Sequence, residues 1–204
     1  LLTWAERQGI VTALARCYAA EGALAYAPIA AWLRAPAIAA TMSKLESPWL
    51  TEVARILPEV AALRAGLQPP GPLTEAWQRQ RLFEALARAI TGQGQTPTAR
   101  VLLIDNAQWA DRESIEWLHY LLRRDTRSRL LVAATIRDDL QPDNHPLRAL
   151  QLSLAREDQF IEVELAPLNS SETTQLAELV AGRALAPGES AELYRETEGR
   201  PLFV

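Results

Sequence analysis

A carboxylate directly after a short apolar run is the clearest chemical feature of the sequence. Val101-Leu-Leu-Ile104 is followed by Asp105, and a polar turn then leads into the amphipathic segment 111–124. A buried parallel strand delivers one acid in this way to the carboxyl edge of a sheet, where α/β proteins bind their ligands. Because hard cations prefer oxygen ligands, Asp105 is a candidate for Mg²⁺ coordination, directly or through water. The alternative is an aspartate that caps the following turn.

Three more polar side chains fall at the same predicted edge. Asn106 follows the acid, at a position where hydrolysing enzymes commonly have a second one. An amide can orient water but cannot accept its proton at physiological pH, and the alternative is a turn residue with local hydrogen bonds. Thr135 and Arg137 end the next predicted strand, where a polar or cationic side chain can sense a terminal phosphate. The alternative for Arg137 is a surface ion pair with Asp138 or Asp139.

Gly199-Arg-Pro201 follows the last predicted helix and offers a further contact. A rigid proline ring can lie flat against an adenine base, which makes Pro201 a candidate nucleotide-binding residue. The alternative is a helix stop signal, since glycine and then proline commonly end helices.

A phosphate-binding loop is absent from the sequence. Such a loop reads G-x-x-x-x-G-K-[ST], and its backbone N–H groups and lysine hold the phosphates. The nearest string is 182–190, in which five residues separate the glycines and Glu189 stands in place of the lysine. We interpret this segment as a junction between two helices.

Composition limits the class of protein. The chain has 204 residues, 49% of them hydrophobic, and a formal net charge of −4, so we expect one substantial core and no nucleic-acid surface. The single Cys17 excludes an internal disulfide and a cysteine-based zinc site. No apolar run reaches membrane-spanning length, and no signal peptide is recognisable. We therefore expect a cytoplasmic protein, and the missing initiator methionine suggests a piece of a larger one.

The order of predicted elements indicates an α/β fold. Apolar runs predict strands over 10–17, 100–104, 129–136 and 160–165. Helical spacing and capping residues predict helices over 1–8, 28–40, 45–65 (split at Pro58), 74–90, 112–124, 145–157, 170–182 and 188–199. Because strands and helices alternate before the last two helices, we expect an incomplete, doubly wound parallel α/β core over 1–168 and the start of a small helical subdomain over 169–204.

Four segments together resemble the ATPase domains of signal-transduction P-loop ATPases, the STAND type of the AAA superfamily, as found in large bacterial transcriptional activators. They are 15–28, 80–86, Leu103-Ile-Asp-Asn-Ala-Gln-Trp-Ala-Asp111 and 193–204. Two positions depart from the family pattern: Asn106 replaces its second acid, and Arg200 replaces the asparagine of Gly-Asn-Pro.

The resemblance implies a P-loop NTPase-type fold whose first strand and phosphate loop would lie upstream of Leu1, with a helical lid starting after residue 168. It implies an ATP/ADP-dependent switch in which Asp105 holds Mg²⁺, Arg137 senses phosphate and Pro201 contacts adenine. It also implies DNA-binding and tetratricopeptide-type domains in the same longer chain, and ATP-dependent self-association. The isolated chain is then expected to bind Mg-ATP poorly and to be inactive as an ATPase.

Three functions remain open at this point. The first is a regulatory ATPase module, and the second is a degenerate module that binds nucleotide without turnover or serves only as a scaffold. Asn106 favours the second slightly. The third is a dinucleotide-dependent oxidoreductase, although no G-x-G-x-x-G follows any predicted strand.

Overall fold

A computed structural model of the protein describes residues 1–21, 24–92, 98–124, 128–137 and 146–204. These residues form two compact units, Leu1–Gln159 and Phe160–Val204. Within the described residues, no helix is both long and apolar enough to span a membrane.

A parallel sheet lies at the centre of the first unit. The part of the chain that the structure describes contains three strands, β1 (Val11–Arg16), β2 (Arg100–Asp105) and β3 (Leu130–Ala134), in the order β1-β2-β3. The central strand β2 contains the apolar run that precedes Asp105, and most of its residues are buried, as expected for a strand covered on both faces. Its last residue, Asp105, pairs in register with Arg16, the last residue of β1. The predicted α/β fold with a parallel sheet is thereby confirmed.

The described ranges of the first unit contain seven α-helices besides this sheet. They are α1 (Leu2–Arg7), α2 (Ala27–Arg34), α3 (Pro36–Met42), α4 (Ser47–Val53), α5 (Ala76–Thr91), α6 (Arg112–Arg124) and α7 (Pro146–Arg156). Short 3-10 turns cover Ala19–Glu21, Pro58–Leu63 and Ala107–Trp109. The bounds of α6 are those that its apolar spacing predicts.

Two buried tryptophans tie helices to their surroundings through their indole N–H groups. Trp32 on α2 donates to the carbonyl oxygen of Leu103 on β2 at 3.0 Å. Trp117 on α6 donates to the carbonyl oxygen of Phe83 on α5 at 3.1 Å. Both rings are fully buried, so they supply apolar core while their single polar atom stays satisfied. The helix that follows Asp105 is therefore anchored to α5.

Local backbone chemistry corrects the predicted helices at two places. The predicted helix 28–40 is two helices, because Ala35 precedes Pro36 and adopts ψ 130°, outside the helical region. The helix predicted over 74–90 begins at Ala76, and its N-cap is Glu75. Glu75 and Gln78 form a reciprocal capping box, in which the Gln78 Oε1 accepts from the Glu75 N–H at 2.8 Å.

The predicted strand 160–165 is wrong. Residues 160–165 form neither a helix nor a strand and join no strand ladder in the described residues. Its alternating apolar side chains are exposed, with Ile161 and Leu165 each 88% accessible. The pattern favours a strand, but a strand also requires a neighbouring edge for its backbone hydrogen bonds.

The second unit contains two helices, α8 (Ser170–Ala181) and α9 (Pro187–Thr197). Asn169 caps α8 in a capping box with Glu172, and Gly182 ends the helix in the left-handed conformation. Segment 182–190 is thus a helix–helix junction, in which Glu189 pairs with Arg183 at 3.0 Å. Gly199 is required by close packing, because a Cβ there would lie 1.9 Å from the carbonyl oxygen of Leu168.

Candidate functional site

Asp105 ends β2 at the carboxyl edge of the sheet with a partly exposed carboxylate. The Thr135 hydroxyl donates to Asp105 Oδ1 at 2.7 Å and accepts the backbone N–H of Asn106 at 2.9 Å. Because the hydroxyl has only one proton, these two bonds fix its direction toward the carboxylate. The structure therefore brings together three of the residues that the sequence singled out, Asp105, Asn106 and Thr135.

The second oxygen of Asp105 faces a residue that the sequence analysis missed. Arg16 Nε lies 3.6 Å from Asp105 Oδ2, and the side chains are 60% and 36% exposed. The strand ladder holds the two residues side by side, since Arg16 and Asp105 are register partners and the Cys17 N–H donates to the Asp105 carbonyl at 2.9 Å. An exposed ion pair of this kind contributes only about 0–1 kcal/mol to folding stability. Asp105 can therefore exchange Arg16 for another partner at little cost in free energy.

Asn106 turns the chain sharply away from the sheet. Its φ of 58° and ψ of 50° lie in the left-handed region, and it begins the 3-10 turn Ala107–Trp109. Asparagine and aspartate tolerate this conformation better than other residues with a Cβ. The turn role proposed for Asn106 is consistent with this geometry and does not conflict with a water-orienting role at the edge.

Hydrogen bonds connect the end of β3 to the turn that begins at Asn106. The Thr135 N–H donates to the carbonyl of Ile104, and the Ala107 N–H donates to the carbonyl of Thr135, both at 2.9 Å. The Arg137 N–H then donates to the side-chain Oε1 of Gln108 at 3.3 Å. Arg137 thus follows Thr135 at the carboxyl edge, whereas Asp138 and Asp139, its alternative ion-pair partners, lie outside the described residues.

Asp111 caps α6 and also binds a second segment. Its Oδ1 accepts the Ser114 N–H and its Oδ2 accepts the Ser114 hydroxyl, at 2.8 and 2.7 Å. Oδ1 also accepts the backbone N–H of Tyr26 at 2.8 Å, across 85 positions of the sequence. Asp111 is buried, and it joins two of the segments that carry the family resemblance. Tyr26 itself has a left-handed φ of 63° and a buried ring, and this burial raises the pKa of its hydroxyl.

Pro201 belongs to the second unit. It begins the 3-10 turn Pro201–Phe203, two residues after Gly199. Gly199 in turn accepts the Leu168 N–H at its carbonyl at 2.8 Å. Within this unit, Pro201 stands at a turn that backbone packing defines, and its role toward adenine stays a prediction.

The residues at the edge fit a magnesium ion that brings its own ligands. In the described ranges, no group of three or more His, Cys, Asp or Glu side chains could hold a metal. One carboxylate, Asp105, lies beside one hydroxyl, Thr135. Mg²⁺ keeps several waters and is usually bound by one or two carboxylates together with substrate phosphates. The donor set therefore suits Mg²⁺ bound through water and phosphate, but not Mg²⁺ held by side chains alone.

The cavity that touches the carboxyl edge is small. The cavity next to Arg16, between Pro28, Trp109 and Asp111, has a volume of about 10 Å³. That is room for about one water, whereas small-molecule pockets span roughly 300–1,000 Å³. The described residues thus supply the acid and the polar groups beside it, and the cavity that touches Arg16 is too small for a nucleotide.

Residues 1–133 match the family model described as AAA ATPase domain. The match covers more than half of the 204-residue chain and includes Asp105, Asn106 and the turn after them, and it ends inside β3. The mixed α/β fold with its parallel sheet is consistent with a P-loop NTPase-like fold. No curated protein and no solved structure matches the chain.

Proposed function

Since the chain belongs to the AAA ATPase domain family, we propose that it is the ATP-binding part of a STAND-type regulatory switch. Bound ADP and bound ATP hold different conformations of such a module. The observation that carries the proposal is the arrangement of Arg16, Asp105 and Thr135 at the carboxyl edge of β2, within the region that the family model covers. The larger protein is proposed to be a cytoplasmic transcriptional regulator.

The candidate residues named from the sequence have separate roles in the proposal. Mg²⁺ bound beside Asp105 would neutralise charge on the nucleotide phosphates. Asp105 orients the water shell of that ion, and the Thr135 hydroxyl keeps its carboxylate in one direction. Arg137 places a positive charge near the terminal phosphate, and this contact is lost when the phosphate leaves. Pro201 contacts adenine from a helical lid that begins after residue 168.

Asn106 decides how the module uses ATP. Its amide can hold a water by hydrogen bonds but cannot accept a proton from it at neutral pH. Turnover is therefore proposed to be slow, and the switch depends on exchange of ADP for ATP more than on rapid hydrolysis. The second candidate function, a module that binds nucleotide without any turnover, is favoured by the same side chain. Restoring an acid at this position separates the two.

Other parts of a longer chain would complete the site. The sequence contains no phosphate-binding loop, and most phosphate contacts in P-loop proteins come from that loop. Partners are therefore proposed to be neighbouring domains of DNA-binding and tetratricopeptide type, and further copies of the protein once ATP is bound. This segment itself is not proposed to touch nucleic acid or membrane.

The deciding experiment is a titration of fluorescent ATP, with and without Mg²⁺, against the natural protein at its full length. The 204-residue chain and an Asp105→Ala variant of the full-length protein are titrated in parallel. Saturable, Mg²⁺-dependent binding by the full-length protein, together with weak binding by the chain alone, is expected. Absence of binding by the full-length protein would refute the switch and leave a scaffold. Submicromolar affinity of the chain alone would contradict the proposed need for a phosphate loop.

A further inference from the structure

Gln108 is a buried polar residue whose burial the fold alone does not explain. It lies in the 3-10 turn after the acid, and only 2% of its surface is accessible. A buried amide costs free energy unless its oxygen and its N–H groups find partners. The oxygen has one, the Arg137 N–H, but the Nε2 has no hydrogen-bond partner within the described ranges. A methionine would fill a similar volume without an unsatisfied donor.

The bond that Gln108 does make continues the pairing between two strands. The β2–β3 ladder ends where Ile104 faces Ala134, and the Thr135 backbone adds one more bond in each direction. At Arg137 the acceptor is no longer a backbone carbonyl but the side-chain oxygen of Gln108. The side chain thus extends the connection between the turn after Asp105 and the chain after β3.

We propose that Gln108 is a positioning residue that holds the Arg137 backbone at the carboxyl edge. It keeps the guanidinium of Arg137 within reach of a phosphate bound beside Asp105. The backbone part of this inference concerns the chain by itself, whereas its consequence for phosphate rests on the proposed function. The unpaired Nε2 of Gln108 costs free energy. In this proposal, the hydrogen bond from the Arg137 N–H to the Gln108 oxygen is the reason that a glutamine occupies the position.

Amide hydrogen exchange in the 204-residue chain tests the backbone part without nucleotide. In Gln108→Met, the Arg137 amide is expected to exchange about tenfold faster, which corresponds to the loss of one hydrogen bond. The amides of β2 should keep their rates, and the melting temperature should not fall, because an unsatisfied donor is removed. Gln108→Glu keeps an oxygen acceptor and should retain the slow exchange of Arg137. Gln80→Met, the same change at an exposed position of α5, is the control.

An unchanged Arg137 exchange rate in Gln108→Met would overturn the proposal. So would a general loss of protection throughout β2 with a lower melting temperature, because that result would assign Gln108 to the core. Gln108→Leu repeats the measurement with a second apolar side chain, so that the result does not depend on one variant.

The consequence for phosphate is tested in the natural protein at full length. The ratio of ADP to ATP dissociation constants is measured for the wild type, Arg137→Gln and Gln108→Met. Both variants are expected to reduce the preference for ATP. If Arg137→Gln reduces it and Gln108→Met leaves it unchanged, the role of Gln108 is refuted while the proposed function stands. If the wild type binds neither nucleotide, the proposed function fails, and hydrogen exchange still decides what Gln108 does.

Discussion

Replacing Glu84 by glutamine should lower the free energy of unfolding by an amount that can be estimated from the structure. Glu84 lies on α5 and accepts hydrogen bonds from Arg88 at 2.6 Å, from Arg124 at 2.7 and 2.8 Å, and from the Tyr120 hydroxyl at 2.9 Å. Arg124 and Tyr120 belong to α6, the helix that follows the turn after Asp105. This network therefore joins the helix behind the acid to the segment 80–86, one of those that carry the family resemblance.

The pKa of Glu84 sets the size of the effect. Burial by itself raises this pKa, but the hydrogen bonds from Arg124, Arg88 and Tyr120 outweigh it and lower the pKa from 4.5 to about 2. At about 1.4 kcal/mol for each pKa unit, that difference corresponds to roughly 3 kcal/mol. Because Glu84 is 19% exposed and its arginine partners are more so, solvent screening reduces the expected contribution to about 1–2 kcal/mol.

The sign of the pH dependence follows from the lowered pKa. The ionised carboxylate stabilises the folded chain above the unfolded-state pKa, near 4.5, and this stabilisation disappears as the pH falls through the folded value of about 2. The wild type and Glu84→Gln should therefore differ by about 1–2 kcal/mol at neutral pH and converge between about pH 4.5 and pH 2.

Urea denaturation of the 204-residue chain, followed by circular dichroism at several pH values, measures this difference. Glu46→Gln, at an exposed position before α4, is the control and should change the free energy of unfolding by less than about 0.5 kcal/mol. The reasoning is refuted if Glu84→Gln unfolds at the wild-type urea concentration at neutral pH. It is equally refuted if the difference from wild type stays constant down to about pH 2.

Substitutions at four positions, Asp105, Asn106, Arg16 and Asp111, have separate expected outcomes. Asp105→Ala should abolish the Mg²⁺ dependence of ATP binding in the full-length protein without altering its circular dichroism; an unchanged dependence removes Asp105 from its proposed role. Asn106→Asp should raise phosphate release at unchanged stability, whereas Asn106→Glu should cost about 1 kcal/mol in the left-handed backbone; equal urea midpoints would contradict this. Arg16→Gln should tighten Mg²⁺ binding by up to about fivefold, the equivalent of about 1 kcal/mol of Coulomb energy. Arg7→Gln, before the opposite end of β1, is its control, and identical Mg²⁺ isotherms for Arg16→Gln and wild type argue against the ion-pair exchange. Asp111→Ala should destabilise the chain by about 2–4 kcal/mol, because it leaves two buried backbone donors without their acceptor, and a loss below about 0.5 kcal/mol would show that water replaces the carboxylate.

The strongest sequence signals were local ones, and the structure bears them out. The apolar run before Asp105 predicts the central strand, and the spacing after Asp111 predicts α6 to the residue. Each pattern repeats within a single strand or helix, so the element can be predicted without knowing how the rest of the chain folds. The proximity of Thr135 to Asp105 follows from the same logic, since neighbouring parallel strands end at one edge.

Contacts between segments that are distant in the chain could not be predicted from the sequence. The pairing of Arg16 with Asp105 requires the register of β1 on β2, and periodicity within each strand does not contain that register. The bonds of Gln108 to Arg137 and of Asp111 to Tyr26 depend on where turns carry the backbone. The strand predicted over 160–165 is wrong for a related reason. Its alternating pattern is that of a strand, but a strand forms only when a second segment pairs with it.

The left-handed backbone at Asn106 makes two side chains interchangeable at the point where water would be activated. Asparagine and aspartate have the same shape and accept this conformation at similar cost. A lineage can therefore exchange a proton-accepting residue for a neutral one without disturbing folding. If the proposed function holds, the same turn suits either fast or slow hydrolysis of ATP, and the choice between the two side chains has little effect on folding stability.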